Sequence, residues 1–593
     1  MSTTPTPVAA RRGADWLLEP TAPQDVFTPE RLSEEHRLIA RTAAEFLEKE
    51  VLPAIGRLET KDWALAKALV KRAGDLGLLG TDVPEAFGGI DLDKAAAIVV
   101  GEAMGGDASF ATTFGAQTGL AIIPILCFGT EAQQKKYLPG IISGDIVGAY
   151  CLSESGSGSD ALGARAKATR QADGSWVLSG EKMWITNGGF ADLYIVFAKV
   201  DGEHFTAFLV ERSFPGVSHG KEEHKMGLHG SSTTPVLLQD AKVPADNLLG
   251  EIGKGHKIAF NVLNYGRFKL AGMCSGGAKM AIGQATKYAL ARRQFGQPIA
   301  SFGAIRHKLA EMTARAYGVE SALYRTTGLI DETIARGSGT PAVSLAALEE
   351  FAIEASLLKV GSSEMIDYVL DENVQIHGGN GFVHDYPAER HYRDARVNRI
   401  FEGTNEINRL LAPGMLIKRA LKGGVPLIQA AKRLQDELLA PPAGVAGGGT
   451  APADLLAGPV TGMKKAAVMV LGLAMQTYGI ALEQEQEVLM LASDIMMDTF
   501  MAESALLRAG QAAAAGAPSA SLHADAAAVF THDAALRVDA AARTAIQAMT
   551  GGDTQRTMLA ALRRLLKVTP VDTIAARRRI ADATTEKKGY VFA

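Results

Sequence analysis

The segment Arg399-Ile400-Phe401-Glu402-Gly403-Thr404-Asn405-Glu406-Ile407 carries a carboxylate placed for chemistry. Glu402 sits between an aromatic residue and a glycine. A hydroxyl follows at Thr404, just before an apolar pattern of helical spacing. A carboxylate in such a turn can face a pocket rather than solvent. Apolar neighbours then raise its pKa and make it a usable base near neutral pH.

Four other stretches carry donors or glycines that could hold a ligand, and each has a plainer reading. Tyr150-Cys151-Leu152-Ser153-Glu154-Ser155-Gly156-Ser157-Gly158-Ser159-Asp160 offers hydroxyls and backbone N–H groups on a loosened turn, which suits a phosphate or a ring edge. It reads equally as a polar surface loop, and it is neither a GxGxxG nor a Walker loop. In Lys182-Met183-Trp184-Ile185-Thr186-Asn187-Gly188-Gly189, Trp184 can stack on a planar ring that Thr186 hydrogen-bonds. The alternative is a core tryptophan closing an Asn-Gly hairpin. Arg292-Arg293-Gln294-Phe295-Gly296 could grip a pyrophosphate or complement a helix C-terminus. Gln375-Ile376-His377-Gly378-Gly379-Asn380-Gly381 allows close backbone approach. Its lone His377 reads as structural, with no neighbouring set of metal ligands.

The elements that must position these residues follow from periodicity. Thr28-Pro29-Glu30 reads as an N-cap, an N1 proline and a first-turn acid. Leu38, Ile39, Thr42, Phe46 and Leu47 then share a helical face, and Pro53 ends that helix. Apolar, Ala-rich segments continue to about Gly144. The pattern then changes to short β-branched and aromatic runs, Trp176-Val177-Leu178, Leu193 to Phe197 and Phe205 to Val210, separated by Ala172-Asp173-Gly174 and Asp201-Gly202. Helical spacing returns after Gly255. The expected fold is α+β, multidomain and mostly α. A tail, disordered or extended, spans 1–27, an N-terminal helical domain 28–147 and a middle β-barrel or sandwich domain 148–248. A C-terminal helical bundle spans 249–435, a Pro/Gly-rich linker 436–459 and an extra helical domain 460–593.

Composition narrows the function. The 593 residues carry 61 basic and 65 acidic side chains, so the formal charge is 61 − 65 = −4. That balance argues against a nucleic-acid partner. Cys127, Cys151 and Cys274 show no paired or metal-binding spacing, which fits a reducing compartment. The N-terminus lacks the apolar core of a signal peptide, and its prolines oppose an amphipathic transit helix. The strongest apolar run, Ala466 to Met475, is about half the ~20 residues of a membrane span. A soluble, cytoplasmic bacterial protein is expected, or a mitochondrial one in a eukaryote. Lys464-Lys465 and Arg577-Arg578-Arg579 could touch anionic lipid, but solvated helix faces are favoured.

Taken together, YCLSESGSGSD, KMWITNGG, NYGRF, ARRQFGQPI, QIHGGNGF and RIFEGTNEI resemble the acyl-CoA dehydrogenase family of flavoproteins. The resemblance covers roughly residues 30–420. The long C-terminal extension resembles the very-long-chain branch and its bacterial counterparts. It implies an N-terminal α domain, a middle β domain and a C-terminal α bundle, with FAD as cofactor and no metal. Ser153 and Thr186 match flavin-ring contacts, with Trp184 against the ring. Ser159 matches a position near the cofactor and CoA phosphates. Arg292, Phe295, Gln375, Gly378 and Gly379 match positions holding the FAD diphosphate and adenosine across a homodimer interface. Thr404 and Glu406 match FAD contacts. Asn264, which stands where some relatives have Asp, and Arg267 match positions that touch the CoA pantetheine or support the site. Gly115 and Ala116 match the floor of the acyl pocket, and their small size leaves room for a long tail.

Glu402 matches the catalytic base. Some branches place the base immediately before the equivalent of Arg267, and here that residue is Gly266. The resemblance implies α,β-dehydrogenation of long-chain acyl-CoA to trans-2-enoyl-CoA, the first step of fatty acid β-oxidation. Glu402 takes the α-proton, flavin N5 accepts the β-hydride, and a backbone N–H near Glu402 and Gly403 bonds the thioester carbonyl. An electron-transfer flavoprotein is the implied acceptor. The alternatives are an acyl-CoA oxidase and a non-enzymatic role in assembling respiratory complexes.

Overall fold

The structure, a computed structural model, describes residues 11–439, 452–567 and 570–592. The start of the expected tail, before residue 11, and the core of the expected linker, 440–451, lie outside the described residues. The chain divides into two compact units. One comprises residues up to Pro29, Ser321–Leu358 and Asn408–Ile580; the other comprises Glu30–Glu320, Lys359–Ile407 and the residues after Ala581. Each is interleaved in sequence, so the stretch 249–435 is shared out between them.

The first unit is helical. Its long helices Pro452–Tyr478, Gln486–Ala514 and Ala520–Met549 bury Ala, Val, Met and Leu side chains. Part of the expected N-terminal tail belongs to its core. Trp16 is buried, packs against Phe500 with ring centroids 4.8 Å apart and the rings tilted by 44°, and donates its indole N–H to Glu354 Oε1 at 3.0 Å. Gln511 Nε2 donates to the carbonyls of Pro23 and Val26. Two large apolar residues, Trp16 and Leu17, order this segment despite its prolines. Among the described residues, two segments are long and apolar enough to span a membrane. The better buried is Ala108–Phe128, in the other unit, with 78% of its apolar window inside; Leu456–Gln484, here, has 44%.

The second unit joins helices to a sheet. Its first long helix is Glu34–Phe46, and the N-cap is Ser33, not Thr28. Ser33 Oγ accepts from His36 N at 3.2 Å while His36 Nδ1 accepts from Ser33 N at 3.1 Å, a capping box with histidine at the third position. Pro29–Arg31 forms only a 3₁₀ turn, and Leu38 faces outward. The strands are β1 Gly148–Cys151, β2 Lys167–Arg170, β3 Trp176–Thr186, β4 Leu193–Val200, β5 His204–Glu211, β6 Val217–His219, β7 Thr233–Val243 and β8 Leu248–Leu249. They form one sheet in the order β6-β7-β3-β2-β4-β5-β8, with β1 parallel on β4. β4 and β5 pair from Leu193↔Glu211 to Val200↔His204 around Asp201-Gly202. Asp201 and Gly202 both have positive φ (53° and 76°), as the central pair of a primed turn requires, and Glu203 completes the three-residue connection.

β3 carries the irregularity that matters. Its pairing with β7 slips between Lys182 and Ile185, and within that bulge Trp184 adopts φ 57°. The bulge turns Trp184 out of the sheet, leaving it 58% exposed. Thr186 follows at the strand's end.

Five helices frame the site: α1 Lys94–Met104, α2 Ala108–Gly115, α3 Gly255–Ala291, α4 Ala388–Ala395 and α5 Asn405–Leu421. The 37-residue α3 is the spine. α1 approaches it through glycines: a Cβ on Gly276 would lie 1.8 Å from the Glu102 carbonyl oxygen, and one on Gly105 2.2 Å from that of Met273. Glu102 Oε1 then accepts from Ser275 at 2.6 Å and from Lys279 at 2.8 Å. Gly276→Ala forces two backbones apart. It should lower stability by about 3 kcal/mol, the upper range for overpacking, read as a denaturant midpoint shift at constant m-value.

Candidate active site

Glu402 sits in a left-handed conformation (φ 57°), and Gly403 follows at φ 77°. A glutamate in this region is strained, and strain of this kind clusters where a side chain must be aimed. The turn is tied down at its ends. Thr404 Oγ1 accepts from Ile407 N at 3.2 Å at the start of α5. Arg267, on α3, donates Nε to the Glu402 carbonyl and Nη1 to Asn264 Oδ1, each at 3.1 Å. Arg267 and Asn264 are both buried and hold the backbone that presents the base.

The Glu402 side chain opens into a cavity of about 890 Å³, counting its mouth. Gly266, Leu270, Met273, Cys274, Gly277 and Met280 line it from α3, and Ala108, Ala111, Thr112 and Gly115 from α2. Ala116, Gly119, Thr186, Ile366, Leu370, His391, Asn398 and Phe401 also contribute to the wall. The lining is apolar apart from a few groups, the composition expected of a site for an apolar ligand with one polar end. Gly266 makes space for the base, since a Cβ there would lie 2.4 Å from Glu402 Oε2.

Electrostatics bring Glu402 into range. Burial raises its carboxyl, while Arg267 and then Lys359 pull it back, leaving it at about 7. Burial lowers Arg267 to about 10 against the attraction of Glu402, and lowers Lys359 to about 8. Lys269, also in the cavity wall, is brought down to about 8 by burial; its ammonium donates to Thr118 Oγ1 at 2.7 Å and is steadied by Asp82. Burial holds His391 near 3, so it is a neutral wall residue at any working pH.

The structure brings Gly115, Ala116, Thr186 and Glu402 into one cavity, with Asn264, Arg267, Gly403 and Thr404 immediately behind the base. The other candidates lie outside the cavity wall. Ser153 joins the end of β3 through its carbonyl, which accepts from Met183 N at 2.9 Å. Ser159 and Glu406 are exposed. Arg292 leads into the hairpin Arg293–Gln294/Gln297–Pro298, at whose tip Phe295 is 93% exposed. Gln375, Gly378 and Gly379 are exposed where the helix Ala352–His377 ends, and a Cβ on either glycine would meet open space. His377 is structural: it stacks on Tyr288, with centroids 4.1 Å apart, and bonds the Asn373 carbonyl at 2.8 Å.

A flavin dinucleotide fits these groups by chemistry. The exposed Trp184 ring offers a stacking face, Ser153 and Thr186 offer hydroxyls for ring heteroatoms, and Arg292 offers a fork for a diphosphate. The Tyr150 hydroxyl on β1 is buried and has no hydrogen-bond partner among the described residues, as at a surface that a polar ligand completes. The sequence reading missed Lys359, Lys269 and the distal α3 residues Gly277 and Met280. An isolated lysine within Leu357-Leu358-Lys359-Val360-Gly361 was the available signal for the first.

Family profiles match this frame in order: the acyl-CoA dehydrogenase N-terminal domain at 33–145, the middle domain at 149–241 and the C-terminal domain at 253–413. A further acyl-CoA dehydrogenase C-terminal domain profile matches 462–564. A probable acyl-CoA dehydrogenase of Bacillus subtilis (strain 168) is 45% identical over 586 residues, 98% of each chain. This chain belongs to the acyl-CoA dehydrogenase family. A crystal structure of an acyl-CoA dehydrogenase complexed with FAD from Bacillus anthracis is similar at TM-score 0.96 and 46% identity, covering 98% of this chain and all of that one. The bovine mitochondrial short-chain specific acyl-CoA dehydrogenase is 38% identical over 412 residues, 69% of this chain and 96% of that protein. The family is thus set by sequence and shape, whereas chain length must be argued from the cavity.

Proposed function

We propose that this acyl-CoA dehydrogenase uses FAD to oxidise long-chain acyl-CoA to trans-2-enoyl-CoA, with Glu402 as the base. The observation that carries the reading is a carboxylate near pKa 7 at one end of an apolar cavity that follows α3. Gly266, Leu270, Met273, Gly277 and Met280 share one face of α3, and from Gly266 to Met280 the helix rises about 21 Å. An extended chain rises roughly 1.2 Å per bond, so this length has room for an acyl tail of up to about eighteen carbons.

The residues act in sequence. The cavity excludes water from the tail, whose burial contributes ~0.8 kcal/mol per CH₂. Arg267 holds the Glu402 backbone so that the carboxylate meets the α-carbon beside the thioester. Glu402 removes the α-proton, and a backbone N–H of its turn stabilises the developing enolate oxygen. FAD, when bound, supplies the two-electron sink for the β-hydride, so a C=C bond forms as two C–H bonds break. Ser153, Thr186 and Trp184 would hold its ring, and Arg292 with the Gln375–Gly379 segment its diphosphate end. The exposed Phe295 hairpin suits a second copy of the chain, giving a homodimer, and an electron-transfer flavoprotein is the acceptor. The proposed place is the cytoplasm of a bacterium, at the first step of β-oxidation.

Anaerobic titration of the yellow protein with acyl-CoAs of graded length tests this. Flavin bleaching should be complete with palmitoyl-CoA, and kcat/KM should exceed that for butyryl-CoA at least tenfold. A preference for butyryl-CoA would refute the long-chain assignment.

A further inference from the structure

The turn bearing Glu402 is braced from two directions. Arg267 grips it from α3. From the helix Ala352–His377, Lys359 reaches the other end: its ammonium donates to Asn405 Oδ1 at 2.7 Å. Asn405 opens α5 three residues after the base, and its amide donates to Ser363 Oγ at 3.0 Å and Glu364 Oε1 at 3.1 Å. Lys359 is fully buried and Asn405 is 2% exposed. The bond of Lys359 goes to a neutral amide, which by itself offsets little of the cost of a buried ammonium. Of the acids whose charge it meets, Glu402 and Glu406, only Glu406 is exposed.

We propose that Lys359 is a positioning residue for the base: through Asn405 it fixes the Glu402–Asn405 turn, and its buried charge favours the carboxylate form of Glu402. The charges facing the base support this. Glu402 meets Arg267 from α3 and Lys359 from Ala352–His377, and the Tyr150 hydroxyl from β1 feels its charge. Lys269 and His391 line the same cavity. Lys359 in turn meets Cys274 and Arg267 from α3 and Glu406 from α5. Tyr150 and Cys274 stay neutral near pH 7, since burial pushes both up, the thiol to about 12. Glu406 is exposed and therefore screened. Arg267 and Lys359 both oppose the desolvation of Glu402.

The inference rests on Glu402 being the base, so the experiment reads the two separately. Holoenzymes carrying Lys359→Gln, Lys359→Met and Lys359→Arg are compared with wild type. Gln keeps a donor toward Asn405 and removes the charge. The acid limb of kcat/KM should move up by about one pH unit in K359Q and K359M and stay in place in K359R. The protonated-carboxyl infrared band that is lost in Glu402→Gln should titrate about one unit higher in K359Q. If K359M fails to fold, K359Q decides. An acid limb and an infrared titration both unmoved in K359Q would overturn the proposal. A wild type that turns over no acyl-CoA would instead defeat the functional reading, and the infrared titration would still judge Lys359.

Discussion

Glu402→Gln should lower the rate of flavin reduction by acyl-CoA by about 10²–10⁴-fold while leaving FAD bound. General-base catalysis is worth about 10²–10⁴-fold, and among the described residues no second carboxylate lines the cavity to replace the base. Gln keeps the shape of the side chain, so the turn held by Arg267 and Thr404 stays formed. Rapid-mixing absorbance at the flavin band measures the rate, and the protein-to-flavin ratio checks occupancy. Wild-type-like bleaching would end the assignment of Glu402 as base.

The same variant has a stability signature. The folded carboxyl is raised from 4.5 to about 7. Its contribution to stability is therefore fully present below the unfolded value and is lost as pH rises through the folded one. The ceiling of that loss is about 3 kcal/mol. Solvent in the cavity mouth screens the half-buried group and reduces it to about 1–2 kcal/mol. Glu402→Gln should thus unfold at a higher temperature than wild type at pH 8 and at the same temperature near pH 4.5. The base is active because it is uncomfortable where it sits, and removing it relieves the fold.

How much of this was legible depended on whether the signal was local. β4 and β5 were readable because each is a short apolar run ending at Asp201-Gly202, whose turn type is written in two residues. The segment Phe401 to Thr404 was readable for the same reason. The left-handed φ of Glu402 was not: a glutamate rarely adopts it, and only Arg267 and the start of α5 impose it. The bulge that turns Trp184 outward was equally hidden, being set by the mismatch between β3 and β7. The helix start was misplaced because Thr28-Pro29-Glu30 carries stronger local cues than Ser33, whose capping box uses a histidine in place of the usual Glu or Gln. Lys359 was lost because a lysine on an apolar helix ordinarily reaches solvent along its stem. Here its ammonium ends on Asn405 instead.

Gly266→Ala should cut kcat by about 10²-fold or more without destabilising the protein. The added methyl would lie 2.4 Å from Glu402 Oε2, 2.9 Å from Cδ and 3.2 Å from Oε1, and the nearest obstacles are all carboxylate atoms. A carboxylate can swing aside, so the clash is relieved at the side chain and the backbone of α3 need not move. In a helix interior Ala is favoured over Gly by about 1 kcal/mol, which offsets any residual strain. Catalysis has no such release, because a displacement of about 1 Å from the reacting carbon costs on the order of 10²-fold. The expected pattern is an unchanged or raised unfolding temperature, full flavin content and a collapsed kcat. Gly266→Val should deepen the loss by filling the cavity beside the base. A G266A enzyme with wild-type kcat would mean that Glu402 works from a different rotamer, and that the emptiness of position 266 serves the substrate rather than the base.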